Sequence, residues 1–558
     1  MRTAFIEASD AQAARFLQTL LLIDDGVNFA PTSDKPPVGG KKVVTPTAEA
    51  LADLRRGRKT DDEAAGAVHV TKTTPKYPIE ADRLTEASAL RGLICGVIKP
   101  RQGDKELAEH VLMAAQKADI CILDWNTYDD DGESTRTLIT KLIPTNRRDD
   151  RYRVVCIYSG EPDAKDKMLS ILRALTEVGV VDFQASDSGF AIQRGYTKIC
   201  WYSKENTQGT KAEKARERPV DLLPASLITE FAAIDRGLMT NFALSALTAV
   251  REKTHNVLAK FESKLDPAFL SHRGLQAVPA DAEEHLLAVF VSELESVLEE
   301  DPKVRDSVNC AAAIERVTDL RDREHVDLAA KCEAGTAEKA MAWISSALAD
   351  GLQSAAMLEQ HPELEPRLLK LKEPKPGACL KYLSKIFRKN APDDFVIDAE
   401  FAMLLSLKSR YPGAPEPILS LGTILQQKGV ANSLWLCVQP LCDSIRLPGP
   451  RVFPLVKLQA SSSPFDIVVR YEGSPKRLRT SMKLYESIFP SFEPVTGCIR
   501  PVRNEQEQLE YVDASDNRYI WIAELRLPQA LRFSSMIAHE SSRIGLTQAE
   551  WLRRQSEE

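Results

Sequence analysis

The sequence has no apolar run of the roughly 18 to 20 residues needed to cross a bilayer. Charged side chains interrupt every apolar-rich stretch. The first residues, MRTAFIEASDAQAARFLQTL, lack the basic-then-apolar order of a secretory signal, with Glu7 and Asp10 placed early. A cytoplasmic protein without membrane attachment is the expectation. There is no CxxC pair, so a structural zinc site has little support. The ten cysteines are scattered, and Cys95, Cys121, Cys156 and Cys200 sit inside apolar, strand-like runs. That usage fits reduced, buried thiols rather than a disulfide frame. There is no basic excess either: 73 Lys and Arg stand against 80 Asp and Glu, a net charge of −7. A dedicated nucleic-acid binder would carry the opposite balance. No Arg- or Lys-rich helix-turn-helix segment closes the chain, so no DNA partner is expected. The eight histidines are dispersed, with no HExxH or other ligand spacing; His255 and His272 lie near acidic residues, where a surface or capping role fits.

What is present is a 558-residue chain of ordinary globular composition, 43% hydrophobic and 27% charged. At about 150 residues per domain this is roughly three or four domains. The first third alternates apolar runs with helical patterns. FLQTLLLIDDG at 16–26 ends an apolar run in two carboxylates and a glycine. LICGVIK at 93–99 is a second run, DICILD at 119–124 a third, RVVCIYS at 153–159 a fourth and TKICWYSK at 197–204 a fifth. Helical spacing occupies 105–117 and 165–178. Short all-apolar runs separated by helices predict a parallel sheet with crossover connections. In such sheets ligands bind at the carboxyl ends of the strands. Here those ends carry Asp24 and Asp25, Asp124, Ser159 and Lys204.

A strand-end Asp is usually a turn or cap residue. This set together has a chemistry of its own. Three crowded carboxylates repel and call for a cation, and an oxygen-only cage suits Mg²⁺. One of them could accept a phosphoryl group as an aspartyl phosphate. Lys204 adds positive charge, and the Ser159 hydroxyl could donate to a phosphoryl oxygen. Asn126 stands where a haloacid-dehalogenase-type phosphatase needs an Asp, two positions after the nucleophile, and no Gly-rich or catalytic-Glu pattern supports a nucleotide-binding or TIR domain.

LLIDDG at 21–26, ILDWN at 122–126, IYSGE at 157–161 and CWYSK at 200–204 resemble the receiver domain of two-component response regulators. The resemblance covers roughly 15–210. It implies a flavodoxin-like fold with a five-stranded parallel sheet, and a sensor histidine kinase as partner. It makes Asp124 the phosphoacceptor. Mg²⁺ would be held by Asp24, Asp25 (the likelier direct ligand of the pair), Asp124 and the backbone carbonyl of Asn126. Ser159 becomes the switch hydroxyl, Lys204 the family's lysine and Trp201 its aromatic switch position. No enzymatic activity is implied beyond self-catalysed phosphotransfer and dephosphorylation at Asp124. Three features depart from the family. Asp25 and Asp124 are 99 positions apart, where two βα units need only about 60. The excess falls in an insertion at about 27–85, rich in Pro, Gly, Lys and Thr. The span from Ser159 to Lys204 is also long and suggests an added hairpin. Glu205 replaces the proline that usually follows the lysine.

Beyond the receiver (1–210) the expectation is a helical region at 211–412 and a β-rich domain at 413–558. A long helical pattern runs over 224–262, readable as a bundle helix or as a dimerisation element. Further helices are expected at 281–300, 307–319, 323–350, 351–359 and 376–388. From 415 on, short apolar runs with turn breaks read as a small barrel or sandwich, closed by a helix at 546–554. CVQPLCD, with Cys437, Cys442 and Asp443, could bind metal, but a buried strand thiol is the simpler reading. No output catalytic motif is visible, so the signal would pass through protein contacts to a second regulator or effector, or be buffered, with a homodimer as one arrangement. Large receiver proteins of this outline resemble components of bacterial antiphage two-component systems. The competing readings are an effector enzyme with a receiver switch and a hidden C-terminal activity, or a phosphorylation-dead scaffold.

Overall fold

The structure is a computed structural model. It describes residues 2–29, 78–101, 105–127, 130–332, 334–351, 386–387, 394–430, 432–462, 465–481 and 483–541. Most of the expected insertion, the helices expected at 351–359 and 376–388 (apart from 386–387) and the terminal helix at 546–554 lie outside the described residues. Two compact units, Met1–Asp319 and Leu320–Glu558, divide the chain. Among the described residues no helix is long and apolar enough to cross a membrane.

The first unit begins with a helix, α1 (Ala4–Phe16), that apolar-run reading passes over. Thr3 caps it by accepting from the Ile6 amide. There follow β1 (Thr19–Ile23), the short β2 (Val27–Asn28) and β3 (Ile79–Glu80), α2 (Ala81–Ala89), β4 (Ile94–Ile98), α3 (Lys105–Lys117), β5 (Ile120–Leu123), α4 (Glu133–Leu142), β6 (Arg153–Ser159) and α5 (Ala164–Glu177). The hairpin β7 (Gln184–Ala185) and β8 (Ala191–Arg194) then leads into β9 (Thr197–Ser203). The sheet order is β4-β1-β5-β6-β9-β8-β7. Its five strands from β4 to β9 are parallel. The hairpin expected in the long span before Lys204 is β7–β8, added antiparallel at the edge.

The continuous apolar runs have a plain cause: both faces of the sheet are covered. On one face Leu20, Leu22, Ile120 and Cys156 pack against Ala13, Leu84, Leu227 and Phe231. On the other, Leu21, Ile23, Leu123 and Ile157 pack against Ala115, Ile139 and Met168.

After β9 come α6 (Lys211–Lys214), α7 (Leu223–Ala232), α8 (Leu238–Glu252), α9 (Thr254–Leu258), α10 (Asp266–Leu275), α11 (Asp281–Glu300), α12 (Pro302–Asp306) and α13 (Cys310–Asp322). The continuous helix expected over 224–262 is therefore broken. α7 buries Leu227, Ile228 and Phe231 against the sheet and stops. The break is pinned: Gln193 Nε2 donates to the Ile234 carbonyl at 2.9 Å, Arg236 pairs with Asp10 at 3.2 Å, and Gly237 starts α8 from an extended backbone. α1 ties these helices to the sheet. Its Arg15 pairs with Glu252 and, at 3.1 Å, with the buried Asp301, and Thr3 Oγ1 donates to the buried Asp319 at 2.8 Å.

In the second unit, α14 (Leu328–Cys332) and α15 (Ala337–Asp350) replace the single helix expected at 323–350. Gly335, at φ +80°, turns the chain between them. α16 (Asp394–Ser406) precedes β10 (Thr423–Gln427), β11 (Leu434–Cys437), β12 (Arg451–Val452), β13 (Leu455–Ala460), β14 (Ile467–Tyr471), β15 (Ser474–Thr480), β16 (Ser491–Phe492), β17 (Val502–Arg503), β18 (Leu509–Val512), β19 (Arg518–Glu524) and α17 (Leu527–Ser541). Eight of these strands form an antiparallel sheet ordered β14-β15-β13-β11-β10-β19-β18-β17. The order is linear, an open sheet where a closed barrel was one expectation. One face packs Ile424, Leu436 and Val469 against Phe533 of α17; the other packs Trp435, Phe453, Phe492 and Tyr519.

Candidate functional site at the carboxyl edge of the parallel sheet

The parallel register sets the strand ends side by side. Ile23 of β1 pairs with Leu123 of β5, and Ser159 of β6 pairs with Ser203 of β9. The next residues are Asp24, Asp124 and Lys204. Backbone bonds continue the ladder past the strands, from the Asp124 amide to Ile23 O at 3.1 Å and from the Lys204 amide to Ser159 O at 3.0 Å. Asp24, Asp25 and Asp124 each offer a carboxylate oxygen, and these oxygens lie within 4.8 Å of one another. Lys204 Nζ donates to Asp24 Oδ2 at 2.9 Å and pairs with Asp124 Oδ1 at 3.0 Å. Asp24, Asp124 and Lys204 are all buried; Asp25 is half-buried.

Burial pushes the Asp124 carboxyl up to about 6, with Lys204 pulling the other way and Asp24 adding to the rise. For Lys204 burial opposes the charge, but Asp124 and Asp24 outweigh it and its ammonium is held above its ordinary value. Asp24 Oδ1 also accepts from the Gly26 amide at 2.6 Å.

Asn126 helps shape the loop after Asp124, its Oδ1 accepting from the Asp131 amide at 3.2 Å. Thr135 Oγ1 donates to the Asp124 carbonyl at 2.6 Å. Ser159 is buried at the end of β6, and its Oγ accepts from the Glu161 amide at 3.3 Å. Trp201 lies in β9 opposite Ile157 and is fully buried, with its indole Nε1 lacking a hydrogen-bond partner. The structure thus brings Asp24, Asp25, Asp124 and Lys204 into one cluster, sets Ser159 at the neighbouring strand end and leaves Trp201 in the core.

Sequence reasoning missed Trp125. Directly after Asp124, it is buried, and its ring centroid lies 6.0 Å from that of Trp201. Its Nε1 donates to Asp131 Oδ1 at 3.3 Å. A Cβ on Gly132 would fall 2.3 Å from its ring, and Gly132 has φ +80°. The signal was available: a large aromatic directly after a strand-end Asp is costly to expose.

The other candidates do not assemble. Cys437 is a buried strand thiol, raised by burial to about 12, while Cys442 is exposed. His272 lies beside His285 with the rings tilted, Nε2 and Nδ1 3.3 Å apart on exposed helices. Among the described residues the Asp24, Asp25 and Asp124 group is the one acidic or His/Cys cluster with metal-holding spacing.

Residues 16–209 match the family model of the response receiver domain. The N-terminal part of the chain is a receiver domain. The match runs through the long stretch at 27–85, so that extra length lies inside the receiver. No curated protein and no solved structure matches the chain.

Proposed function

We propose that this receiver accepts a phosphoryl group on Asp124 from a phosphohistidine of a sensor histidine kinase. The observation that supports it most is Lys204 bridging Asp24 and Asp124 in a buried site. An Asp124 oxygen would attack phosphorus as the bond to the histidine nitrogen breaks; the imidazole leaves with that electron pair and takes up a proton. Asp124 must be ionised to attack, and with a carboxyl near 6 most of it is ionised at neutral pH. Lys204 would then meet phosphoryl oxygen with an ammonium already in place. The Ser159 hydroxyl is a donor that could turn to the new phosphoryl group.

The donor set fits Mg²⁺: three carboxylates with converging oxygens suit a hard divalent cation, with Asp24, Asp25, Asp124 and the Asn126 carbonyl as its ligands. Bound there, Mg²⁺ would neutralise charge on the transferred oxygens.

The chain is proposed to work in the cytoplasm, transmitting or buffering the phosphorylated state through protein contacts. The functional division proposed is receiver to 210, helical region 211–412 and β-rich region 413–558. The unit Met1–Asp319 joins the receiver to helices as far as α13, which supports direct transmission into that region. The antiphage setting is proposed on the family resemblance alone. The test is intact mass after incubation with acetyl phosphate and Mg²⁺. One added phosphoryl group is expected, and none in Asp124→Ala. No addition to the wild type, or an addition that survives Asp124→Ala, would overturn the assignment.

A further inference from the structure

The loop that follows Ser159 is short and fixed at both ends. Ser159 closes β6, its carbonyl accepting from the Lys204 amide at 3.0 Å. Only Gly160, Glu161, Pro162 and Asp163 separate it from Ala164, the first residue of α5. Pro162 has a fixed φ, and Asp163 sits at φ 59°, in the left-handed region. Asp163 holds the N-cap position of α5, yet its side chain makes no capping bond. The bond comes from a segment beyond β9. Glu213, in α6, accepts from the Ala164 amide through Oε1 at 2.8 Å. Its Oε2 accepts from the Thr210 amide at 2.7 Å and the Thr210 hydroxyl at 2.9 Å. Glu213 is 6% exposed, on a segment that is otherwise polar and charged. Burial works against its charge, but the Ala164 and Thr210 donors outweigh burial and hold its carboxyl below the usual range. A carboxylate buried in this way fixes whatever it is bonded to, because leaving it unbonded is costly.

We propose that Glu213 is a positioning residue for Ser159: it latches the loop after β6 in the unphosphorylated arrangement and passes movement of that loop to α7. The proposal rests on Asp124 being the phosphoacceptor. In the present arrangement Ser159 Oγ accepts from the Glu161 amide at 3.3 Å, so turning the side chain toward a phosphoryl oxygen disturbs that bond. Pro162 and Asp163 leave the loop little slack, and the displacement reaches the Ala164 amide and stretches its bond to Glu213. The latch therefore opposes the phosphorylated arrangement. The segment that carries Glu213 is stitched to the same strand ends. The Ser203 amide donates to the Arg216 carbonyl at 3.2 Å, the Arg218 amide to the Ser203 carbonyl at 3.0 Å, and the Tyr158 hydroxyl to the Arg218 carbonyl at 2.7 Å. From there Arg216 pairs with Glu230 of α7 at 3.0 Å. One chain of bonds thus runs from the Ser159 loop through Glu213 and Arg216 to the helix packed on the sheet.

The test uses the full chain, loaded with acetyl phosphate and Mg²⁺, desalted, and followed by intact mass as the phosphoryl group is lost. Wild type is compared with Glu213→Gln, with Ser159→Ala and with the double variant. Glu213→Gln keeps the size of the side chain but turns an NH₂ toward one of its donors. It should lengthen the half-life of the phosphorylated state about 2- to 12-fold, the fold-change of one net hydrogen bond. In the Ser159→Ala background the same substitution should change nothing, because there is no hydroxyl to release. Equal half-lives for wild type and Glu213→Gln overturn the latch and leave Asp124 as phosphoacceptor. A change that persists without Ser159 shows a merely structural role and also overturns it. A wild type that takes up no phosphoryl group overturns the phosphoacceptor reading, and the latch with it. Should Glu213→Gln fail to fold, hydrogen exchange in the wild type decides. Protection of 160–164 and of 210–218 should fall together on phosphorylation; a fall confined to 160–164, or no change in either, contradicts the proposal.

Discussion

Each unit of the chain buries a carboxylate at its sheet, and the two are compensated in opposite ways. In the C-terminal unit Glu510 is 1% exposed and held by two cations, Lys428 at 2.9 Å and Arg518 at 3.1 Å. Those bonds outweigh burial and hold its carboxyl below the usual range. In the receiver, Asp24 and Asp124 share Lys204 with Asp25 clustered beside them, and burial drives Asp124 up to about 6. A carboxylate matched by surplus cation is a closed structural device. Three carboxylates about one lysine hold charge against their own electrostatics, which is what the proposed receipt of a cation and a phosphoryl group would require and a closed structural pair would not.

Four substitutions test that contrast. Lys204→Met should have the largest effect on stability. It leaves buried carboxylates without their lysine and should cost roughly 3–5 kcal/mol in thermal or urea unfolding of metal-free protein. Added Mg²⁺ should restore a good part of the loss; no restoration would argue against a cation site.

Glu230→Gln probes a closed pair inside the receiver unit itself. Burial alone would raise the Glu230 carboxyl, but Lys198 at 2.7 Å and Arg216 at 3.0 Å hold it down to about 2. A depressed carboxyl stabilises the fold above its ordinary value near 4.5 and loses that contribution as pH falls toward 2. The variant should lose about 3 kcal/mol at neutral pH, the gap to wild type closing below pH 4.5, and Mg²⁺ should leave it unchanged. A gap that widens in acid would contradict the sign.

Gly132→Ala places a methyl against Trp125 at a left-handed φ, and should cost about 1–3 kcal/mol. It should also slow phosphoryl uptake by disturbing the loop that follows Asp124; unaltered stability and uptake would show that the Trp125 contact is dispensable. Glu510→Gln should be mildest, about 1 kcal/mol, because both of its cations are nearly half exposed and screened. A loss as large as that of Lys204→Met would erase the contrast.

Much of the receiver was legible because its strands are buried on both faces. β1, β5, β6 and β9 read as unbroken apolar runs, and parallel register turns their chain positions into spatial neighbours. Asp24, Asp124, Ser159 and Lys204 therefore fall at one edge on the sequence alone. Tertiary contacts decided the rest. The break at 233–237 depends on Gln193 and Asp10, far away in sequence. α1 was overlooked because its value lies in what Arg15 and Thr3 reach. The strand order of the C-terminal sheet follows from pairings such as β10 with β19, nearly a hundred residues apart, which no local pattern announces.

The chemistry itself is best tested by locating the phosphoryl group. Full-length protein would be phosphorylated with acetyl phosphate and Mg²⁺, reduced with borohydride, which converts an aspartyl phosphate to homoserine, and mapped by peptide mass spectrometry. Homoserine at position 124, dependent on Mg²⁺, is the predicted result. Reduction at a different acidic residue, or at none, would contradict the assignment of Asp124.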